Sequence, residues 1–238
     1  MKYYETSFID YIKSVNDFNI QNDKKYIIEN LPDNFDKLSN LILVGPPGTG
    51  KYSQALKIIE KYSDSNLKYE KKITCSFEKQ PYNFRLSDIH YEIDISMLGC
   101  NSKQLWHDIF FQIIDIITQR FEKSNKNAII LCKNFHTINS ELLDIFYSYM
   151  QSLSHINLKI VYIIITENVS FIPSNILNRC QIIPLKRPIK SDYIKSTSKT
   201  LMNNINVKDI VNIKDIKGKI TCFKNINKII FNKIIDKI

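Results

Sequence analysis

The sequence lacks the residue patterns that hold structural metals and disulfides. Its five cysteines are far apart, with no C-x-x-C pair and no histidine at metal-ligand spacing beside them; they are Cys75, Cys100, Cys132, Cys180 and Cys222. Zinc modules and small disulfide scaffolds need closely spaced cysteines. We therefore expect reduced, mostly buried thiols and no metal site. The four scattered histidines likewise give no reason to predict a Cys/His nucleophile.

Long apolar runs are also missing. No stretch approaches the roughly 20 residues that cross a bilayer, and residues 1–13 mix charged and aromatic side chains instead of forming the apolar core of a secretion signal. These features predict a soluble, intracellular protein of the nucleus, the cytoplasm or a viral replication site, with no membrane partner. At 238 residues and 44% apolar content, the chain can bury a full core.

Glycine is scarce as well, yet three of the five glycines fall within seven residues. This segment reads GPPGTGK and consists of Gly45, Pro46, Pro47, Gly48, Thr49, Gly50 and Lys51. An apolar run at residues 41–44 precedes it, and an amphipathic pattern at residues 54–62 follows it. Strand, glycine loop and helix in this order are typical of a phosphate-binding loop, in which backbone N–H groups and the lysine hold the phosphates. We therefore predict that the loop binds ATP or ADP.

The loop lacks the hydroxyl that normally follows its lysine and binds Mg²⁺. Tyr52 stands at that position, where a phenol does not fit the small metal-binding place. Ser53 follows, but on a helix it is rotated by about 100° from the required direction. We therefore place Tyr52 and Ser53 among the residues around the nucleotide, where Tyr52 either blocks Mg²⁺ or reshapes its site.

Acidic residues are absent where they are expected after the apolar strand predicted at residues 128–132. In phosphate-loop ATPases this strand ends in two carboxylates, which hold Mg²⁺ and activate the attacking water. Lys133 and Asn134 occupy these two places here. Losing both acids and the loop hydroxyl costs several orders of magnitude in rate, so we expect no appreciable hydrolysis by the isolated chain. Lys133 either offsets phosphate charge in place of the metal or packs along the surface, and we favour the surface.

Strand and helix patterns alternate through residues 1–187, which predicts an α/β domain with a parallel sheet covered on both faces. Helices are predicted at 3–15, 102–121, 140–153 and 174–179, and further strands at 72–77, 90–95, 158–165 and 181–185, with a polar turn near Gln80-Pro81. Pro188 marks the start of a second predicted domain, residues 188–238, which is small, helical and lid-like.

Positive charge is unevenly distributed. Residues 1–180 carry 20 Lys/Arg and 20 Asp/Glu, whereas residues 181–238 carry 13 Lys/Arg and four Asp, so the whole net charge of +9 lies in the last 58 residues. Such a tail either contacts a polyanion such as DNA or is solvated surface, and the composition supports both interpretations equally.

The order of the motifs resembles the AAA+ module of clamp-loader small subunits, of the replication factor C and bacterial delta-prime type. The resemblance covers about residues 25–188, and is carried by GPPGTGK, IILCKNFHTINSELLDIFYSYMQ and VYIIITENVSFIPSNILNRCQIIPL. Its most specific piece is Asn178-Arg179-Cys180, which matches the Ser-Arg-Cys motif of that family. The resemblance implies a parallel five-stranded sheet sandwiched by helices.

The resemblance also implies site residues and partners. Arg179 would be an arginine finger that reaches the nucleotide of a neighbouring subunit, although a cation ending a helix is the alternative. Glu167 or Asn168 would hold the first sensor position. The partners would be other clamp-loader subunits in a hetero-oligomer, a sliding clamp and primer–template DNA.

Two features of that family are missing. No arginine follows Arg187 to serve as the second sensor, and about 50 residues remain after it, so we expect no collar domain. The predicted function is that of a hydrolysis-deficient, clamp-loader-like subunit in DNA replication, with ATPase activity only within the hetero-oligomer. Two alternatives are a stand-alone active ATPase that uses Ser53 and Glu167, and a DNA-binding module in which the fold is only a scaffold.

Overall fold

The computed structural model describes residues 7–21, 28–77, 80–119, 126–151, 158–189 and 191–192. Its helices are α1 (Phe8–Asp17), α2 (Lys51–Glu60), α3 (Ser102–Thr118), α4 (Ser140–Tyr149) and α5 (Ser174–Leu177). Its strands are β1 (Asn40–Val44), β2 (Lys71–Phe77), β3 (Gln80–Leu86), β4 (His90–Asp94), β5 (Lys126–Lys133), β6 (Leu158–Thr166) and β7 (Cys180–Pro184). Nearly all of the predicted lid-like domain lies outside the described residues, as do the outer ends of the helices predicted at 3–15, 102–121 and 140–153.

The strands form one seven-stranded mixed sheet in the order β2-β3-β4-β5-β6-β1-β7. The strands β4, β5, β6, β1 and β7 run parallel to one another. The strands β2 and β3 form an antiparallel hairpin, and β3 also pairs antiparallel with β4. The implied five-stranded parallel sheet is therefore corrected to a larger, mixed one. Antiparallel strands need only a short connection, so the hairpin extends the sheet without the helical crossover that a parallel strand requires.

The reversal predicted near Gln80-Pro81 lies just before these two residues, because Phe77 of β2 pairs with Gln80, and both Gln80 and Pro81 belong to β3. Proline lacks the N–H that a central strand must donate, but it is tolerated near a strand start or where only one neighbour pairs. Pro81 pairs with Ser76 of β2, and the pairing of β3 with β4 is confined to Arg85 and Leu86. Pro81 therefore lies in the part of the hairpin that extends beyond β4.

Helices cover both faces of the sheet. One face packs against α3 and α4, with Trp106 and Phe146 fully buried between them. The other face packs against α1 and α2, with Phe8 and Leu56 fully buried. Strands buried on both faces are continuous apolar runs, which is why β1 and β6 were recognisable in the sequence. Within the described residues, no helix is both long and apolar enough to cross a membrane.

The parallel strands bring distant residues to one edge of the sheet. Val44, the last residue of β1, pairs with Thr166 at the end of β6, and Asp94 at the end of β4 pairs with Lys133 at the end of β5. Ligands of open α/β sheets bind at this edge, beyond the carboxyl ends of the strands. The first residue of β7, Cys180, pairs with the first residue of β1, so Arg179 lies at the opposite edge.

Candidate nucleotide site

The glycine loop forms the turn between β1 and α2. Gly48 and Gly50 have φ angles of 75° and 82°, which glycine adopts at little cost. Gly45 is needed for a different reason: a Cβ there would lie 2.4 Å from the backbone oxygen of Leu185. The loop therefore combines close packing against the end of β7 with two left-handed residues that turn the chain into the helix.

The loop and the start of α2 bring backbone N–H groups and the Lys51 ammonium together. The first N–H groups of a helix have no acceptor within it and carry partial positive charge, and Gly50 supplies no side-chain cap. Lys51 Nζ donates to the backbone oxygens of Gly45 at 2.6 Å and Pro46 at 2.7 Å, and Thr49 Oγ1 donates to Pro46 O at 3.0 Å. This donor set fits the phosphates of a nucleotide, which the loop would hold through Lys51 and the helix start.

Tyr52 extends from the first turn of α2 toward β4. Its hydroxyl donates to Glu92 Oε1 at 2.5 Å, and its ring meets Tyr11 of α1 edge-on at 4.9 Å. Burial, together with the neighbouring Glu92 charge, raises the pKa of Tyr52 far above its ordinary value. The phenol therefore stays protonated and serves as a donor to Glu92, and so it does not replace the metal-binding hydroxyl.

Glu92 is a buried carboxylate that the sequence prediction missed. Its side chain is 1% exposed, with Oε2 3.4 Å from Lys133 Nζ and Oε1 3.5 Å from His90 Nε2. The other ring nitrogen of His90 lies 2.5 Å from Ser87 Oγ. Burial by itself raises the pKa of Glu92, but His90, Lys133 and Tyr52 together lower it below the ordinary value. The carboxylate is therefore ionised at neutral pH and connects β4, β5 and α2.

Lys133, which we expect to pack along the surface, is half-buried at the end of β5 beside Glu92, and its role toward a phosphate stays a prediction. Its ammonium is 3.4 Å from Glu92 Oε2 and 5.3 Å from the centre of the Tyr52 ring, and its side chain is 27% exposed. The buried carboxylate on the neighbouring strand explains this position, because a charge of that kind requires a cation nearby.

Asn134 continues from Lys133 in a left-handed conformation, with a φ of 53°. Its Nδ2 donates to Asp94 Oδ1 at 2.9 Å, and the same Asp94 oxygen accepts from Ser96 N at 3.1 Å. The place of the water-activating acid is thus taken by an amide that is bonded to a carboxylate of β4.

The residues present do not fit a standard Mg²⁺ site. The hydroxyl place is taken by Tyr52, and the first carboxylate place is taken by a cation, Lys133. Mg²⁺ requires oxygen ligands in near-ideal octahedral geometry, and an ammonium repels it. In the described part of the chain, no three His, Cys, Asp or Glu side chains are grouped so that they could hold a metal ion.

The sensor candidates lie beside the loop. Thr166 is fully buried at the end of β6, where its backbone oxygen accepts from Gly45 N at 3.3 Å and its Oγ1 donates to Asn168 O at 2.7 Å. Glu167 Oε1 is 3.8 Å from His136 Nε2. The structure thus brings Glu167 and Asn168 to the nucleotide edge of the sheet, and their sensor roles stay predictions.

Ser53 and Arg179 lie apart from these contacts. Ser53 is half-buried on α2. Arg179 is exposed after α5, with its guanidinium 5.1 Å from the centre of the Tyr147 ring. The length of β1, about 13 Å at 3.3 Å per residue, separates Arg179 from the glycine loop of its own chain. Arg179 therefore faces away from that loop.

The sequence matches the family described as "ATPase family associated with various cellular activities (AAA)" over residues 41–187, which is more than half of the chain. The chain belongs to the AAA family. The match contains the glycine loop, the ends of β5 and β6, and Arg179. AAA proteins bind ATP or ADP, which agrees with the phosphate-binding geometry of residues 45–51.

Solved AAA structures have a similar fold. PCH-2 of C. elegans is 13% identical with a TM-score of 0.49, over 87% of this chain and 59% of that one. A RuvB variant of Thermotoga maritima is 15% identical with a TM-score of 0.44, over 80% and 52%. A structure on katanin self-assembly is 14% identical with a TM-score of 0.50, over 88% and 71%.

At such identities the likeness concerns the fold alone. The chain spans between half and two thirds of the PCH-2 and RuvB chains. None of these three AAA proteins is a clamp loader, and no curated protein matches the sequence significantly.

Proposed function

We propose that this AAA domain binds ATP or ADP at residues 45–51, does not hydrolyse it appreciably by itself, and acts within a hetero-oligomer by donating Arg179 to a neighbouring subunit. One observation carries the proposal: the phosphate-binding loop is intact while Tyr52, Lys133 and Asn134 occupy the places of the metal-binding and water-activating groups.

The contacts of these three side chains support the proposed lack of hydrolysis. The hydroxyl of Tyr52 is directed to Glu92, the ammonium of Lys133 is held beside the same carboxylate, and the amide of Asn134 is bonded to Asp94. No general base is therefore positioned at the end of β5 to orient a water molecule. A nucleotide that stays uncleaved serves as a structural ligand, which stabilises the domain by mass action.

The place of Arg179 in the fold supports its proposed role. It is exposed at the edge of the sheet opposite to its own loop, so it reaches a phosphoryl group only when a second subunit brings one. A guanidinium supplied in this way stabilises the charge of the transferring group.

We further propose an assembly of the clamp-loader type, with other clamp-loader subunits, a sliding clamp and primer–template DNA as its partners. The support for this finer assignment is the Asn178-Arg179-Cys180 motif, at its expected distance after β6. The basic residues of the last 58 positions would suit DNA. The assignment to the AAA family itself does not depend on it.

Replacing Lys51 by alanine is expected to weaken ADP binding by about 100-fold or more, because charged hydrogen bonds to phosphate are worth about 1.5–3 kcal/mol and the lysine also fixes the loop. Isothermal titration with ADP measures the change. Lys57→Ala, on the same helix and paired with Glu60 at 2.6 Å, is the matched control and should bind like the unaltered chain. Equal affinities of the two variants would contradict a nucleotide site in this loop.

Purified alone, the chain is expected to show no steady-state ATP hydrolysis above background. Phosphate release is measured with the unaltered chain and with Lys51→Ala, so that a contaminating ATPase is recognised by its persistence in the variant. Turnover that disappears with Lys51→Ala would overturn the proposal in favour of a stand-alone ATPase. Glu167→Gln would then test whether Glu167, which follows β6 and lies 3.8 Å from His136 Nε2, is the base.

A further inference from the structure

We propose that the ammonium of Lys133 takes the place of Mg²⁺ beside the nucleotide phosphates, so that the site binds ATP or ADP without a divalent cation. This inference rests on the proposed nucleotide binding and adds the form in which the nucleotide is bound. It makes Lys133 a phosphate-binding residue in addition to the glycine loop.

Both positions that hold the metal in a standard phosphate-binding loop are occupied by other residue types in this chain. A hydroxyl after the loop lysine and a carboxylate at the end of the second strand normally hold Mg²⁺ between them. Tyr52 and Lys133 occupy these places, and they contact each other, with the ammonium 5.3 Å from the ring centre. The Lys133 ammonium therefore places a positive charge beside the first turn of α2, where the metal would otherwise supply one.

Lys133 is held in a defined position. Glu92 Oε2 is 3.4 Å from the ammonium, and the carboxylate is itself fixed by the hydroxyl of Tyr52 at 2.5 Å. In a standard phosphate-loop ATPase, the carboxylate at the end of the second strand holds Mg²⁺ beside the phosphates. Here Glu92 holds the Lys133 ammonium at the corresponding edge of the sheet. The ring of Tyr52 adds a cation–π contact.

Part of the Lys133 side chain is exposed to solvent. The Lys133 side chain is 27% exposed, whereas Glu92 is 1% exposed. An ammonium has three donors, and the contact with Glu92 leaves donors for a phosphate oxygen. Lysine also binds phosphates as a point charge at other phosphate-binding loops, so this ligand chemistry is ordinary.

The test compares binding of fluorescently labelled ADP to the full chain in excess Mg²⁺ and in excess EDTA. We expect the two dissociation constants to agree within about threefold, because no metal takes part. Lys133→Met should weaken binding in EDTA by about tenfold or more, while Lys126→Met, at the other end of β5, should leave it unchanged.

A double variant should convert the lysine-containing site into one that binds Mg²⁺. Tyr52→Thr with Lys133→Asp restores the hydroxyl and the carboxylate, and should make ADP binding at least about tenfold tighter in Mg²⁺ than in EDTA. Circular dichroism checks that each variant is folded. If the double variant does not fold, the unaltered chain and Lys133→Met decide the question.

The outcomes separate the two proposals. Binding by the unaltered chain that is about tenfold or more tighter in Mg²⁺, or a folded Lys133→Met variant with unchanged affinity in EDTA, would overturn the role of Lys133 and leave nucleotide binding intact. Absence of ADP binding, or binding that survives Lys51→Ala, would instead overturn the proposed function, and the role of Lys133 with it.

Discussion

Replacing Arg179 by alanine is expected to lower ATP hydrolysis by the assembled oligomer about 10³- to 10⁵-fold, the range that a guanidinium supplied in trans contributes to phosphoryl transfer. Under the proposed function, the site that loses activity would belong to the neighbouring subunit, because Arg179 lies at the sheet edge opposite to its own loop. The free energy of unfolding of the chain should change by less than about 1 kcal/mol, since the side chain is exposed and contacts mainly the Tyr147 ring.

The measurement uses the complex purified through a tag on this chain, with its subunits identified and its ATPase rate compared between variants. Arg179→Lys distinguishes a finger from a cation that merely ends a helix, because lysine keeps the charge and loses the planar fork. We expect the complex with Arg179→Lys to hydrolyse ATP nearly as slowly as the complex with Arg179→Ala. Gln181→Ala, exposed two residues further along β7, is the matched control and should be fully active. A fully active complex with Arg179→Ala would exclude the finger.

Replacing Glu92 by alanine is expected to destabilise the domain by about 3–5 kcal/mol, the usual cost of removing one partner of a buried charge pair. The change leaves Lys133, His90 and the hydroxyl of Tyr52 without the carboxylate that they surround. Chemical denaturation monitored by circular dichroism measures it. Glu60→Ala, whose carboxylate pairs with Lys57 on α2, should cost less than about 1 kcal/mol.

Glu92→Gln adds a test of charge and of pH dependence. The folded pKa of Glu92 is lowered, so its ionised form contributes stability above the unfolded carboxyl pKa of about 4.3, and this contribution is lost as the pH falls through the folded value. The stability difference between the unaltered chain and Glu92→Gln should therefore be constant above about pH 5 and shrink toward pH 3. A difference that grows on acidification would show that the carboxylate is not held ionised.

Much of the fold was predictable because its signals are local. Apolar runs identified β1, β5 and β6, and apolar periodicity identified α3 and α4 within a few residues of their observed bounds. The strand β2 and the turn near Gln80-Pro81 were predicted, but β3 was missed although Tyr82, Phe84 and Leu86 alternate with other residues. The seven-stranded sheet followed from the β2–β3 hairpin, whose pairing no single segment reveals.

The site was only half predictable. The loop could be recognised because its conformation is set by its own glycines, and the missing hydroxyl and acids could be recognised by position. The buried position of Glu92 could not be recognised from the sequence, because an acidic residue in an alternating strand ordinarily faces solvent. Here α1 covers that face, with the Phe8 ring 4.8 Å from the His90 ring.

The sequence by itself determined that the chain is an AAA-type domain with an intact phosphate-binding loop and without the usual metal-binding and water-activating residues. The sequence also shows Tyr52 and Lys133 at those positions, and only the tertiary structure decided that both of them meet the carboxylate of β4 at one edge of the sheet. The physical reason is that these three side chains are far apart in the sequence, and only strand register and helix packing bring them together. A buried charge then fixes its partners, because leaving it unpaired would cost several kcal/mol.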